Sequence, residues 1–124
     1  MTPRFRLYDP SDQKIREVAE IDWSLGIVGT CGGAIEHELD KVVLMQSTGL
    51  KDKNGVEIFE GDLVEHDDNL NGDWETFEAC EVVYDKDYAQ FCFKWDAGNF
   101  LTDYRNLNVI GNIYENSELL EEQR

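Results

Sequence analysis

The sequence predicts a mainly β fold: a small, partly open antiparallel barrel with an N-terminal β segment and a short C-terminal helix. Three observations carry that expectation. Short runs of β-branched and aromatic residues recur along the 124 residues, turn formers punctuate them, and no long stretch keeps a helical period. With 41% hydrophobic residues, and with three Trp, five Tyr and six Phe to bury, the chain reads as globular despite its charge imbalance. One domain over residues 1–124 is expected at this length, divisible into an N-terminal lobe (1–48) and a barrel-like C-terminal lobe (49–124).

Phe5-Arg6-Leu7-Tyr8 alternates and stops at the turn formers Asp9-Pro10-Ser11-Asp12. Lys14 to Trp23 is ambiguous: Ile15, Val18 and Ala19 fit a helical face, whereas Ala19, Ile21 and Trp23 fit a period of two, and strand is preferred. Leu25 to Thr30 and Val42 to Gln46 read as strands joined by a polar connection over Cys31 to Lys41. Asn54-Gly55 is the strongest hairpin signal, suited to the two positive-φ positions of a type I′ turn. Ile58 to Val64 then resumes an apolar pattern, with Gly61 marking a bulge or close approach, and Asp67 to Glu75 reads as loop.

Cys80, Val82 and Tyr84 share one strand face, as do Phe91, Phe93 and Trp95, with Asp85 to Tyr88 as the turn. The expected register pairs Val82 with Phe91 and Cys80 with Phe93, leaving Cys92 opposite Glu81 and no geometry for a Cys80–Cys92 disulfide. Leu107 to Tyr114 is the last strand, after which Asn116 caps a short helix over residues 117–120.

Residues 1–48 hold five basic and eight acidic side chains, a net of −3; residues 49–124 hold six and nineteen, a net of −13. Eight acids between Asp62 and Glu81 have no Lys or Arg among them. Such a surface repels phosphate backbones and anionic lipid, so direct nucleic-acid binding and membrane adhesion are disfavoured. The acids Glu65, Asp67, Asp68, Asp73 and Glu75 are the candidate partner-binding residues, and they serve a mimic of nucleic acid only if they form one connected face. A solubilising surface could scatter them. No run approaches the roughly 20 apolar residues of a membrane span, and the N-terminus lacks a signal-peptide core, so a cytoplasmic protein is expected. Three cysteines, Cys31, Cys80 and Cys92, read as free thiols of a reducing compartment.

Chemistry is sparsely signalled. There is no C-x-x-C, and His37 and His66 are isolated, so no zinc site is expected. Asp52-Lys53-Asn54-Gly55 is two residues short of a calcium loop. Gly29 to Gly33 lacks the G-K-[ST] ending of a phosphate loop. Glu36-His37-Glu38 could supply a general base, and Cys31 with His37 a nucleophile pair, but neither spacing fixes a geometry. No catalytic residue, cofactor or metal is therefore assigned.

Two stretches carry a resemblance. Gln46 to Val64 is similar to the Q-[YF]-T-G-L-x-D-K-N-G-x-x-I-[FY]-E-G-D-[IV]-V signature of the YopX family of phage and prophage proteins. Val109 to Leu120 resembles the family's closing V-I-G-N-I-[YH]-E-N-P-E-L-L, and Arg4 to Asp9 its opening F-R-A-W-D. Ser47 and Ser117 depart from it, standing where an aromatic and a proline are usual. The resemblance implies a small, mostly β protein encoded by a phage or prophage and working in the host bacterial cytoplasm, without an activity to carry over. The expected role is a non-enzymatic accessory module that binds an unidentified protein partner, with self-association through sheet edges open. The alternative is an acidic inhibitor that imitates nucleic acid.

Overall fold

Strand pairing starts at the N-terminus, where alternation is clearest. In the computed structural model, which describes residues 4–30, 35–70, 72–94, 101, 104–116 and 118, β1 (Phe5–Asp9) runs antiparallel to β2 (Lys14–Asp22). The Asp9 carboxylate accepts hydrogen bonds from the Ser11 amide and hydroxyl, and Gln13 closes the turn at φ 59°. β2 pairs with β3 (Ile27–Thr30), which pairs with β4 (Ile35–Glu38). A 3₁₀ turn, Leu39–Lys41, leads to β5 (Val43–Lys51), which returns along the other side of β1.

The ambiguity over residues 14–23 has a structural cause. Val18 opposes Thr30 while Glu20 opposes Gly29, so one extra residue, Ala19, bulges from β2. The bulge places Val18 and Ile21 three apart on one face, which imitates a helical spacing. The connection expected over Cys31 to Lys41 in fact contains β4; a four-residue edge strand with three polar or charged positions carries too little apolar signal to be seen.

The chain forms two compact units, residues 1–47 and 48–124. In the first, Leu7, Val28 and Met45 are buried with the hydroxyl-bearing Thr30. The second contains the end of β5 with β6 (Glu57–Phe59), and then β7 (Asp62–Leu70), β8 (Asp73–Asp85), β9 (Gln90–Phe93) and β10 (Arg105–Asn112). Its core is Ile58, Val64, Cys80, Val82, Phe93, Leu101 and Tyr104.

The strands make two open antiparallel sheets, in the orders β4-β3-β2-β1-β5-β6 and β10-β7-β8-β9, and not the partly open barrel expected. What looked like a single strand with a bulge at Gly61 is two strands in different sheets. The break is a turn at Glu60-Gly61, where Gly61 has φ +87° and Asp62 Oδ2 accepts the Phe59 amide at 2.8 Å. The loop expected over Asp67 to Glu75 is also strand, since β7 and β8 pair from Leu63↔Glu81 out to Leu70↔Asp73. Polar composition hid a hairpin whose turn needs the positive φ of Gly72, +90°.

The β8–β9 register is displaced by two residues: Val82 opposes Phe93, Tyr84 opposes Phe91, and Cys92 opposes Val83 instead of Glu81. The cause is a longer loop, 86–89, held by Asp85 Oδ1, which accepts from Asp87 and Tyr88 amides, and finished by Ala89 at φ 52°. Because the shift is even, the expected faces survive, and Cys80 and Cys92 are buried and not joined in a disulfide. Cys31 and Trp95 lie outside the described residues. So does the short helix expected over 117–120, apart from Glu118, and the described elements include no α-helix. Asn116 turns backward, its Oδ1 accepting from the Asn112 amide at 3.2 Å, while Asn112 caps the following turn through the Tyr114 and Glu115 amides. Among the described residues no helix is long and apolar enough to cross a membrane.

Candidate functional site

In the N-terminal unit, β2, β3 and β4 present an open groove of about 520 Å³. Its floor follows from register. Gly29 stands between Glu20 on β2 and Glu36 on β4, so two carboxylates flank a position with no side chain. A Cβ built on Gly29 would lie 2.9 Å from Glu20 Cγ, which shows how closely the glutamate leans over the gap. One end of the groove is the β2–β3 turn. Asp22 Oδ1 accepts from the Ser24 hydroxyl (2.7 Å) and the Leu25 amide (3.0 Å), and Gly26 completes the turn at φ +68°. These two donors, the hydroxyl first, hold the Asp22 carboxyl below the ordinary carboxylate range. The locked turn leaves Trp23 66% and Leu25 70% exposed at the groove's rim.

The opposite face of β3 and β4 holds His37. Strand alternation sends Glu36 and Glu38 away from it, so neither neighbouring glutamate is placed to tune the imidazole as the spacing alone could have allowed. The carboxylate facing His37 is Asp9, whose Oδ2 lies 3.5 Å from Nδ1, and Nε2 is 3.0 Å from the Thr30 hydroxyl. This acid, imidazole and hydroxyl array has the order of a nucleophilic triad, but Thr30 is fully buried and offers no surface to a substrate. It ties β1, β3 and β4 together. Arg16 adds a contact to Asp9 at 3.7 Å and pairs with Asp12. Cys31, which the sequence spacing alone could not pair with His37, lies outside the described residues.

In the C-terminal unit, the five candidate acids occupy the β7–β8 ribbon but do not share one face. Glu65 and Asp67 lie on one side of β7, with Trp74 and Thr76 of β8; Asp73 and Glu75 alternate to the other side, and Asp68 pairs with Glu75 along the ladder. Asp67 is engaged: Oδ1 accepts the Thr76 hydroxyl at 2.6 Å and Oδ2 the Asn106 amide at 2.7 Å, which lower its pKa in that order of importance. Beside it the Arg105 guanidinium sits 3.8 Å over the Trp74 ring. His66 is buried and stacks on Phe93 at 4.2 Å with Tyr104 edge-on, the position of a core aromatic. Among the described residues no group of three His, Cys, Asp or Glu side chains is arranged to hold a metal.

The two motif stretches are scaffold. Asp52 Oδ1 accepts the Asn54 and Val56 amides and Oδ2 reaches across to the Val109 amide at 2.9 Å. The turn itself differs from the type I′ expected: Gly55 alone has positive φ, +82°, the Gly55 amide bonds to the Asp52 carbonyl, and the Asp52 amide to that of Val56. That is a type I turn closed by a glycine bulge. At the other motif, a Cβ on Gly111 would meet Asn116 Oδ1 at 2.4 Å, so the glycine is what lets Asn116 fold back onto Asn112.

Residues 4–121 match the YopX protein family. Among solved structures the chain is similar to the crystal structure of protein EF1440 from Enterococcus faecalis. The two share 31% sequence identity at a TM-score of 0.68, over 97% of this chain and 99% of that one. No curated protein matches. With nearly the whole described chain inside the match, and both motif stretches accounted for by hydrogen bonds that close this fold, the protein belongs to the YopX family.

Proposed function

We propose that the protein is a non-enzymatic interaction module, an accessory encoded by a phage or prophage that works in the host bacterial cytoplasm. The observation that carries this reading is the β2–β3 turn, where Asp22 fixes a loop that holds Trp23 and Leu25 out in solvent beside a groove. Large apolar side chains kept exposed by a rigid turn suit a docking surface, because their order is already present before binding. A tagged copy recovered from phage-infected cells, analysed by mass spectrometry beside a Trp23→Ser/Leu25→Ser variant, tests it. A partner retained by the parent and lost by the variant is expected; equal recovery by both overturns the assignment to this turn.

The alternative is an acidic mimic of nucleic acid; the register divides its five acids between the two sides of the β7–β8 ribbon, which weighs against the connected face it needs and leaves it the second reading. On that reading a variant with Asp67, Asp68, Asp73 and Glu75 changed to amides loses a nucleic-acid-binding partner, most sharply at low salt.

A further inference from the structure

We propose that the groove on β2, β3 and β4 binds a lysine- or arginine-bearing extended segment of the partner protein, seating one cationic side chain against the Glu20 and Glu36 carboxylates. The inference deepens the reading of the Trp23 turn as a docking surface and rests on it.

Three features of the groove select this occupant. Its centre is a pair of carboxylates: the missing side chain at Gly29 lets Glu20 lie across β3 towards Glu36, so that one long cationic side chain can meet both acids. Asp22 adds a third acid at the turn end, and among the described residues no lysine or arginine lines the groove. A cation there is not in competition with one supplied by the walls. The rim is apolar, with Trp23 and Leu25 exposed, so the methylene stem of Lys or Arg and an apolar neighbour find hydrophobic cover while the charged head reaches the acids.

β4 stands at the end of its sheet and contributes Glu36 to the groove. An extended segment running along that edge would present alternate side chains to the groove, as strands do. A second copy of this chain is disfavoured by a net charge of −16 on each molecule. The occupant is therefore a basic partner.

Fluorescence titration with a labelled octapeptide of alternating lysine and valine, against one of alternating glutamate and valine, tests the proposal on the intact chain. Saturable binding of the lysine peptide alone is expected. It should weaken about tenfold or more in Glu20→Gln/Glu36→Gln, weaken in Trp23→Ser, and hold in Asp73→Asn/Glu75→Gln, which removes the same charge elsewhere. Equal weakening by the two charge-neutral pairs would reduce the effect to diffuse attraction and overturn the site, as would no binding at all. The cellular pull-down separates this failure from that of the docking surface: a partner kept by Glu20→Gln/Glu36→Gln but lost by Trp23→Ser/Leu25→Ser leaves the surface standing and removes the cation. Circular dichroism melts of all variants confirm that each is folded.

Discussion

The two units treat their carboxylates differently. In the C-terminal unit, Asp52, Asp62, Asp67 and Asp85 turn inward along the backbone and accept amide or side-chain donors that fix turns and strand edges. In the N-terminal unit, Asp9 and Asp22 do the same for the turns after β1 and β2, yet Glu20 and Glu36 point into an open groove beside exposed Trp23 and Leu25. The more acidic region thus spends several of its acids on architecture, and the less acidic one sets a pair where a ligand could use them. Charge density along a sequence is a poor guide to where charge is available.

Asp52→Ala is the strongest way to break that contrast. It removes acceptors for three backbone amides, two in its own turn and one in β10, and should destabilise the protein by about 3 kcal/mol in denaturant melts. A loss below about 1 kcal/mol would mean that the carboxylate is surface dressing. Gly111→Ala comes next, at about 2 kcal/mol, because Asn116 must leave the Asn112 amide. Combined with Asn116→Gly its cost should be markedly less than additive, and simple additivity would dissolve the coupling. Gly55→Val places a β-branched residue at φ +82° and should cost about 1 kcal/mol or more; an unchanged melting temperature sinks that account.

Acid titration sharpens the comparison further. Burial is the largest single influence on Asp52 and raises its pKa, but the Val109, Val56 and Asn54 amides together outweigh it and hold the carboxyl below 3.8. A depressed folded-state pKa contributes stability that is present above the unfolded value and is lost as pH falls through the folded one. Unfolding free energy should therefore decline below about pH 4, and less steeply in Asp52→Asn. The smallest effect belongs to Trp23→Ser, which should alter stability by no more than about 0.5 kcal/mol while abolishing partner recovery. A large stability loss there would make the tryptophan structural.

Most strands were legible because their apolar alternation is local: β1, β3 and β9 stand close to where the sequence put them. What escaped has a common origin in pairings that alternation cannot encode. β4 is polar because it is an edge. Residues 72–75 are largely polar because they are exposed, and the division of one apolar run between β6 and β7 depends on a backbone reversal at Gly61. Ala79, at φ 52°, bulges from β8 between the pairs Val64↔Cys80 and His66↔Phe77, so strict alternation misplaces everything before it. For the same reason the five acids could be named but not assigned to faces. The groove was invisible, since it needs Glu20, Gly29 and Glu36 brought level across three strands. Its one sequence trace was a tryptophan and a leucine either side of a serine, ahead of a glycine.

The reach of Asp52 to Val109 spans 57 residues of chain, and that separation sets a schedule for synthesis. The neighbouring strands β1 to β4 pair in the order in which they leave the ribosome, so the N-terminal ladder can close early. The turn at Asn54-Gly55 emerges soon after, but its anchoring carboxylate has no distant partner until β10 has been made. Pairings of such separation are slow to form because loop closure precedes any reward. Until then β7 is an edge strand awaiting a neighbour, and its run of acids from Asp62 to Asp68 supplies the charge that keeps a waiting edge from finding the wrong one.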